Sequence, residues 1–508
     1  MTHSTSQAAR SARAADATAV GIDQTTPGVQ KLETGIPGFD HVTMGGLPQQ
    51  RATVVAGQAG SAKTVFAAHF LAEGVRRGQP AVFVSMEEPA ADLRANLTTL
   101  GWPIAQWEAT SDWAFVDASP MLREDGTAEP YSFATLEAQI GHALDVTGAE
   151  RLVIDSLNSV FALTQDAGTA RLQLRHLIDR LRSAGLSVVM TVETASDPAG
   201  SLSRYSIEEF VADNVVLLRN TREGKGRRRT LEVLKMRGAT HRKGDYAFTV
   251  QPGLGVVVLP VSTSAMTAGR ARQRVSSGIP DLDALLDGGL LRDSITLVAG
   301  PTGVGKTLVS LEFLASAAAL GERTLLLGYE ESAEQIGRNA VGVARGFDRL
   351  RAADALRVVS TYPEEASLED HLLELKQLVD DYQPVRLVID SLTALERAGS
   401  AEAFREFVVG LTSYAKANDI TTYVTASTGG PNGGTSLTEG HVSTLADNVL
   451  TLRYVEEPGQ MRRALTVLKT RGSAHDMRVR EVTISDDGIR IGEPLDRLAG
   501  IVAGPVEP

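Results

Sequence analysis

Short runs of apolar residues alternate with longer amphipathic stretches along most of the chain. Six such runs occupy residues 81–85, 152–154, 187–192, 324–328, 387–389 and 421–425. Their length and continuous apolar character are typical of buried strands, and the stretches between them have the spacing of helices. The pattern predicts an α/β fold with a mainly parallel sheet covered by helices on both faces. In such a sheet, ligands bind where loops converge at the carboxyl ends of the strands.

Another apolar run leads into a phosphate-binding motif. Ser294–Ala299 predicts a buried strand, Gly300–Thr307 fits the pattern G-x-x-x-x-G-K-[ST], and Leu308–Ala319 predicts a helix. In this motif backbone N–H groups surround a triphosphate, the lysine reaches its terminal phosphates, and the hydroxyl holds Mg²⁺. The helix N-terminus favours the negative charge. This order of strand, loop and helix favours an ATP and Mg²⁺ site over a glycine-rich turn.

The chain repeats this organisation. Lys63 and Lys306 lie in matching loops, and the later motif Lys235-Met-Arg recurs as Lys469-Thr-Arg at nearly the same separation along the chain. Matched landmarks in one order predict two duplicated lobes. The expected divisions are a disordered tail (1–27), a first ATPase domain (28–260), a linker (261–273), a second domain (274–495) and a short tail (496–508).

The composition and charge of the chain exclude or disfavour several kinds of site and partner. The 508 residues contain no cysteine, so thiolate metal sites and cysteine nucleophiles are excluded. The formal net charge of −12 disfavours nucleic acid as the default partner. No apolar run reaches the roughly 18 residues of a membrane span. These features predict a cytoplasmic protein that does not bind membranes.

Acidic residues follow several of the predicted strands. Asp155 and Asp390 each end a repeated Arg-Leu-Val-Ile run, where a carboxylate can order Mg²⁺. Helix capping is the alternative role for these two residues. The pairs Glu87-Glu88 and Glu330-Glu331 also follow strands, so one acid of each pair can meet an attacking water or hydroxyl while the other orients it. A solvated acidic turn is the alternative for these pairs.

Two basic segments allow more than one interpretation. Lys469 and Arg471 alternate in a predicted strand, with His475 shortly after, and cations so spaced suit a triphosphate of a neighbouring subunit. A charged sheet edge is the alternative. The segment 225–229, Lys-Gly-Arg-Arg-Arg, is interpreted as a solvated hairpin tip rather than a nucleic-acid patch.

Taken together, these motifs strongly resemble the KaiC family of cyanobacterial clock proteins, a branch of the RecA/DnaB-like ATPases. The resemblance covers about residues 31–500 and rests on the doubled phosphate loops and glutamate pairs, on Glu369-Asp-His371 and on residues 441–447, His-Val-Ser-Thr-Leu-Ala-Asp. It implies two tandem RecA-like domains and a homohexamer of two stacked rings, with ATP between subunits. It also implies slow ATP hydrolysis in the first lobe, and phosphorylation and later dephosphorylation of a Ser and a Thr in the second.

The resemblance assigns roles to individual residues. Ser443 and Thr444 become the phosphate acceptors, Glu330 the general base, and Glu87, Glu88 and Glu331 the other catalytic acids. The expected metal-binding residues are Thr64, Asp155, Thr307, Glu330 and Asp390. The expected nucleotide-binding residues of the first lobe are Gly57, Gly60, Ser61, Ala62, Lys63, Thr64, Val65, Lys235, Arg237 and His241. Those of the second lobe are Thr302, Gly303, Val304, Gly305, Lys306, Thr307, Leu308, Arg463, Lys469, Arg471, Ser473 and His475.

A comparison within the chain supports a division of labour between the lobes. Aligning the repeated Ala-Asp-Asn-Val segments places Glu209 opposite Ser443 and Phe210 opposite Thr444. The first lobe therefore offers no hydroxyl at these positions, which leaves water as its nucleophile. Hydroxyls that merely satisfy the start of a helix or strand are the alternative reading of Ser443 and Thr444.

The chain also departs from the family pattern. Ala62 replaces the last glycine of the first loop, which puts hydrolysis there in question, because that position can require a conformation easy only for glycine. Gln251 and Ala239 stand where clock members carry Thr, and Val343 stands where they carry Trp. The short C-terminal tail favours a KaiB-like partner over a KaiA-like one. Two other functions stay open, a DNA recombination or repair ATPase and an ATP-dependent assembly switch without kinase activity.

Overall fold

The computed structural model describes residues 29–119, 133–159, 167–194, 211–223, 226–259, 273–340, 347–428, 442–457, 460–485 and 487–495. Both predicted tails, most of the predicted linker, Lys225, Val343, the pair Glu209 and Phe210, and His441 lie outside these ranges. Within them, no helix is both long and apolar enough to cross a membrane.

Each lobe contains one nine-stranded sheet and a small two-stranded one. The strands of the first lobe are β1 (Lys31–Leu32), β2 (Leu47–Pro48), β3 (Ala52–Gly57), β4 (Ala81–Ser85), β5 (Trp113–Asp117), β6 (Arg151–Asp155), β7 (Ser187–Glu193), β8 (Asn214–Glu223), β9 (Gly226–Met236), β10 (Asp245–Gln251) and β11 (Gly255–Val258). Those of the second lobe are β12 (Arg274–Val275), β13 (Leu290–Leu291), β14 (Ile295–Gly300), β15 (Thr324–Gly328), β16 (Leu356–Ser360), β17 (Arg386–Asp390), β18 (Thr421–Ser427), β19 (Asn448–Glu457), β20 (Gln460–Thr470), β21 (Arg480–Ser485) and β22 (Gly488–Pro494).

Helices cover both faces of the two large sheets. The described α-helices of the first lobe are α1 (Phe39–Val42), α2 (Lys63–Arg76), α3 (Ala90–Thr98), α4 (Ile104–Ala109), α5 (Phe133–Thr147) and α6 (Ala167–Ser183). Those of the second lobe are α7 (Pro280–Leu285), α8 (Lys306–Ala315), α9 (Ala333–Ala340), α10 (Phe347–Ala352), α11 (Leu368–Tyr382), α12 (Leu392–Glu396) and α13 (Ala401–Ala417). Short 3₁₀ turns occupy Ser316–Leu320 and Pro363–Glu365.

The large sheets have the same topology. Their orders are β11-β10-β9-β8-β3-β7-β6-β4-β5 and β16-β15-β17-β18-β14-β19-β20-β21-β22. The strands from β8 to β5 pair in parallel, as do those from β19 to β16, while the remaining strands add antiparallel hairpins. The predicted mainly parallel, helix-covered sheet is therefore confirmed. The strand that leads into each phosphate loop is central, which brings loops from several strands around it.

The buried Arg of each repeated Arg-Leu-Val-Ile run serves the fold. The Arg386 guanidinium donates to the carbonyls of Ser276 and Phe313 at 3.1 and 2.8 Å and pairs with Glu322 at 2.8 Å. Arg151 donates likewise to the carbonyls of Glu33 and Phe70. Each arginine joins the segment that enters its lobe to the helix after the phosphate loop.

The two lobes contact each other through both apolar and polar side chains. Leu259 at the end of the first lobe packs in a core cluster of the second. Arg228 lies buried against the second lobe and pairs with Glu369 at 3.0 Å and with Glu406. The interpretation of residues 225–229 as a solvated hairpin tip was therefore wrong for Arg228, because packing against α11 and α13 shields it from water.

The neighbouring Asp370 extends this contact between the lobes. Its carboxylate caps α11 through Ser367 and accepts hydrogen bonds from Thr249 at 2.7 Å and Gln251 at 2.6 Å. Gln251, which departs from the family pattern, thus bonds to the second lobe. Two residues of the Glu369-Asp-His371 motif therefore hold the lobes together.

A buried histidine in the first lobe predicts acid sensitivity. His69 on α2 packs against Trp102, and burial lowers its pKa to about 4. The unfolded chain, with a histidine pKa of about 6.5, takes up this proton while the native state does not, so stability is lost as pH falls. We expect the free energy of unfolding of the first lobe to decrease by roughly 3 kcal/mol between pH 6.5 and 4 from this residue.

This acid sensitivity can be measured by urea unfolding followed by tryptophan fluorescence, since all three tryptophans lie in the first lobe. His69→Leu should flatten that part of the pH dependence. An unchanged slope in the variant would contradict the assignment to His69.

Candidate functional site

The second phosphate loop has the geometry of an anion cradle. It turns through left-handed backbone at Gly303 (φ 80°) and Gly305 (φ 111°), and α8 begins at Lys306. The Lys306 ammonium donates to the carbonyls of Gly300 and Pro301 at 2.9 and 3.1 Å. Burial lowers the pKa of Lys306, while Asp390 and Glu330 oppose that shift. The lysine therefore lies at the loop, with two carboxylates close enough to act on its charge.

The first phosphate loop repeats this arrangement. Gly57 ends β3, Gly60 has a φ of 74°, and Lys63 begins α2. The Lys63 ammonium donates to the carbonyl of Gln58 at 2.9 Å. The Asn220 side chain of β8 donates to the carbonyl of Gly60 at 3.2 Å, which adds a contact that the motif does not reveal.

Ala62 adopts the left-handed backbone conformation, which glycine takes more easily than any other residue. It precedes α2 with a φ of 70°, and Gly305 occupies the matching place before α8. A Cβ on Gly305 would lie 2.7 Å from Cδ1 of Ile484. The first lobe has the smaller Val250 at the corresponding position of β10. The side chain at that position is one methylene shorter, and Ala62 and Val250 pack against the same core cluster.

This difference predicts that the second phosphate loop tolerates an added Cβ before its helix less well than the first loop does. Gly305→Ala should lower the free energy of unfolding by about 1–2 kcal/mol, because the left-handed backbone penalises a Cβ and Ile484 crowds it. Adding Ile484→Val should restore part of the loss. Urea unfolding followed by circular dichroism tests this, with Ala62→Gly as the matched change in the other lobe. Equal losses with and without Ile484→Val would contradict the crowding argument.

The carboxylates expected to bind Mg²⁺ lie beside the phosphate loops. Thr307 donates to Asp390 at 2.6 Å, and Thr425 donates to the same carboxylate. In the first lobe Thr191 bonds Asp155, whose pKa burial raises against the opposing hydrogen bonds from Thr191 and Thr64. The helix-capping alternative does not describe these contacts, because both carboxylates face the threonines.

These oxygens fit Mg²⁺ as it occurs in nucleotide sites. Mg²⁺ commonly takes one or two protein oxygens and completes its octahedron with waters and phosphate oxygens. In each lobe the threonine of the phosphate loop is hydrogen-bonded to the aspartate at the end of the neighbouring strand. Among the described residues, no three His, Asp or Glu side chains form a metal cage of their own. The donor set therefore suits a magnesium–nucleotide complex better than a resident metal.

The structure distinguishes the two glutamates of each pair. Glu330 pairs with Arg397 at 3.2 Å and its charge acts on Lys306, whereas Glu331 accepts from Asn339 on α9 at 2.9 Å. The first glutamate of the later pair thus lies near enough to the phosphate loop for its charge to act on Lys306, and the second contacts the next helix. The charge–charge interaction with Lys306 agrees with the role of general base that the resemblance implies for Glu330.

The earlier pair follows a similar division. Glu87 accepts from Ser156 and Ser159 at 2.6 and 2.9 Å, and its charge acts on Lys63. Glu88 accepts from Asn96 at 2.9 Å, and its pKa is raised by burial and by Asp155 and Asp92. Both acids of this pair are therefore near the Asp155 side of the loop, with Glu87 nearer its lysine.

The expected phosphate acceptors lie on a short helical turn before β19. Ser443 is half-buried and Thr444 is exposed. The Lys469 ammonium donates to the Ser443 carbonyl at 2.7 Å, and the Arg471 guanidinium donates to the Thr444 carbonyl at 2.7 Å. The two cations therefore meet at one turn of their own chain, the turn that carries both hydroxyls.

The other predicted nucleotide-binding residues make local contacts. Lys235 donates to the Ala212 carbonyl at 2.8 Å, which matches the bond from Lys469 to the Ala446 carbonyl. Ser473 accepts from Arg274 at 2.7 Å. His241, Arg463 and His475 are half-buried on the hairpin side of their lobes. Their role toward nucleotide stays a prediction.

Sequence reasoning missed several residues around the phosphate loops. Thr191 and Thr425 orient the aspartates, and they occupy matching positions of the two lobes, a signal that the repeat could have revealed. Arg397 carried no such signal, because only the three-dimensional structure brings it to Glu330.

Comparisons with known proteins agree with this geometry. A family model described as KaiC ATPase matches residues 32–263 and 275–496. Over 484 residues the chain is 46% identical to the circadian clock protein KaiC3 of Synechocystis sp. strain PCC 6803, which covers 95% of this chain and 96% of the relative. It is 41% identical over 483 residues to the circadian clock oscillator protein KaiC of Thermostichus vulcanus, covering 95% and 93% of the two chains. The KaiC of Synechococcus elongatus is 41% identical over 477 residues, covering 94% and 92%.

Proposed function

The chain belongs to the KaiC family of ATPases, and from this premise we propose that it hydrolyses ATP in its first lobe and phosphorylates itself at Ser443 and Thr444 in its second. The observation that carries the proposal is the turn bearing both hydroxyls, whose backbone carbonyls are held by Lys469 and Arg471. No hydroxyl occupies the matching positions of the first lobe, which carries Glu209 and Phe210 there.

The proposed phosphotransfer uses residues of the second phosphate loop and of the glutamate pair that follows β15. Glu330 accepts the proton of the Ser443 or Thr444 hydroxyl as its oxygen forms a bond to the γ-phosphorus of ATP. The bond between that phosphorus and the β,γ-bridging oxygen breaks, and ADP leaves. Lys306 and the loop N–H groups stabilise the phosphate charge, while Thr307 and Asp390 would hold Mg²⁺, which supplies further charge neutralisation. In the first lobe Glu87 would direct a water instead.

The assembly and partners belong to the same proposal. We propose a homohexamer of two stacked rings with ATP between subunits, so that Lys469, Arg471 and His475 of one subunit reach the nucleotide of the next. Lys has three donors and Arg five, so each can keep its carbonyl bond and still contact phosphate. The relatives named as circadian clock proteins favour a clock-like or signalling role, with a KaiB-like protein as partner of the first ring.

A phosphorylation time course tests the proposal. Purified chain is incubated with ATP and Mg²⁺, and peptides containing Ser443 and Thr444 are quantified by mass spectrometry. The expected result is phosphate at one or both residues, with ADP formed in excess of phosphopeptide because the first lobe hydrolyses ATP. ATP binding and hexamer formation without phosphopeptide would instead support an assembly switch, and hydrolysis stimulated by DNA would support the recombination alternative.

A further inference from the structure

The turn that carries Ser443 and Thr444 is anchored at both ends in the core. Val442 and Ala446 are buried, and the Ala446 amide donates to the Val442 carbonyl at 2.8 Å. The two acceptor residues thus lie on a single turn between two packed side chains. Because the ends of this turn are held, the contacts of its carbonyls fix the backbone from which the two hydroxyls project.

Two cations bind these carbonyls. Lys469 donates to the carbonyls of Ser443 and Ala446 at 2.7 and 2.8 Å, and Arg471 donates to that of Thr444 at 2.7 Å. The carbonyls at the end of a helical turn lack backbone partners and are negative, so cations there are stabilising. The position of the turn therefore depends on where Lys469 and Arg471 lie.

Asp447 holds the backbone beside the two cations in place. Its amide and carboxylate bond the Ile295 backbone at 2.8 and 2.9 Å, and its carbonyl accepts from the Arg471 amide at 2.9 Å. The Lys416 ammonium at the end of α13 binds the Asp447 carboxylate at 2.8 Å. Lys416 therefore secures the carboxylate that follows directly after the acceptor turn, and that also lies 3.9 Å from the Arg471 guanidinium.

We propose that Lys416 and Asp447 are positioning residues that fix Ser443 and Thr444 for phosphorylation, acting through Lys469 and Arg471. The proposal rests on the autokinase function proposed above and adds the residues that present its substrate hydroxyls. Loss of Lys416 leaves Asp447 free to pair more closely with Arg471, which draws the guanidinium from the Thr444 carbonyl. A hydroxyl displaced by about 1 Å from an in-line position can cost up to a hundredfold in rate.

The charges of this cluster also suit the product. Lys416, Lys469, Arg471 and Arg292 lie near the carboxylates of Asp447, Asp293 and Asp419, so that four positive charges meet three negative ones. A phosphoryl group adds about −1.5 to −2 charge and three acceptor oxygens. At this place, a phosphate on Ser443 or Thr444 is attracted by more positive charges than there are carboxylates to repel it.

The first lobe contains a similar framework without the acceptors. Asp213 lies 3.5 Å from both Arg182 and Arg51 and 3.9 Å from Arg237, and Lys235 donates to the Ala212 carbonyl. Arg182 lies in the last turn of α6, at the position of the repeat that Lys416 occupies in α13. This duplication supplies a matched control, since Arg182→Met removes the corresponding cation from a lobe that has no hydroxyl to present.

The test compares the initial rate of phosphorylation and the ratio of phosphate on Ser443 to that on Thr444 in the full chain with Mg·ATP. Lys416→Met is expected to lower the rate about fivefold and to change the ratio at least about twofold, because the two carbonyls are held by different cations. Asp447→Asn should act in the same direction. Lys416→Arg, which keeps a cation at this place, should restore most of the rate, and Arg182→Met should leave the ratio unchanged.

The outcomes separate the two proposals. A wild-type chain that takes up no phosphate overturns the autokinase function and the positioning role together. A phosphorylated wild type with the same rate and ratio in Lys416→Met overturns the positioning role alone. A lowered rate that Lys416→Arg does not restore, accompanied by a lower melting temperature in both variants, shows a structural effect and likewise overturns it.

Discussion

Replacing Glu330 with Gln is expected to lower phosphate incorporation at Ser443 and Thr444 by about 10²- to 10⁴-fold, because an amide cannot accept the hydroxyl proton. Glu330 is the member of its pair whose charge acts on Lys306, and it is held by Arg397 at 3.2 Å. The substitution keeps the size of the side chain and its position at the carboxyl end of β15. Quantitative mass spectrometry of the Ser443 and Thr444 peptides measures the effect.

Two matched variants locate the effect of Glu330. Glu331→Gln removes the acid that contacts Asn339, so its effect on the rate should be much smaller. Glu87→Gln changes the corresponding acid of the first lobe, so it should slow the formation of ADP by hydrolysis and leave phosphorylation in place. If Glu330→Gln and Glu331→Gln reduced phosphate incorporation equally, Glu330 could not be assigned as the sole general base.

Replacing Arg386 with Met is expected to lower the free energy of unfolding of the second lobe by about 3–5 kcal/mol. The Arg386 side chain is 1% exposed, and its loss would leave the carbonyls of Ser276 and Phe313 to share the single Ser316 hydroxyl and would leave Glu322 without its partner. A buried acceptor without a donor retains its desolvation cost, so the loss exceeds that of an ordinary hydrogen bond. Urea unfolding followed by circular dichroism gives the difference.

A surface arginine provides the control for Arg386. Arg292 lies on the same lobe and only approaches Gln273 at 3.5 Å, so Arg292→Met should change stability by less than about 0.5 kcal/mol. Arg151→Met should reproduce the large loss in the first lobe, where tryptophan fluorescence reports it. If Arg386→Met cost no more than this surface control, water or neighbouring donors would have to satisfy the buried carbonyls.

The phosphate loops were predictable because their chemistry is local. Glycines at positive φ, a lysine at the helix start and a hydroxyl after it all occur within one short motif, so a single stretch of chain contains the anion site. The aspartates were predictable for a related reason: parallel strands end at one edge of the sheet, and Asp390 ends β17 beside the loop that follows β14. The repeat then extended both predictions to the first lobe.

Residues whose roles depend on distant segments could not be predicted in this way. Arg228 belongs to a basic run typical of an exposed hairpin, and only the packing of the second lobe against β9 buries it with Glu369. Gln251 departs from the family pattern in the sequence, yet its hydrogen bond to Asp370 requires the contact between the lobes. Charge runs in a sequence do not indicate which of their members will be desolvated.

The sequence by itself determined the duplicated α/β architecture, the two phosphate loops and the acids at the strand ends, since strand periodicity and loop chemistry are properties of neighbouring residues. The tertiary structure alone decided which neighbours each glutamate of the pairs contacts, that Ile484 crowds Gly305, and which cations hold the turn of Ser443 and Thr444. These features depend on the directions of side chains from separate strands and helices, and those directions are set only when the elements pack.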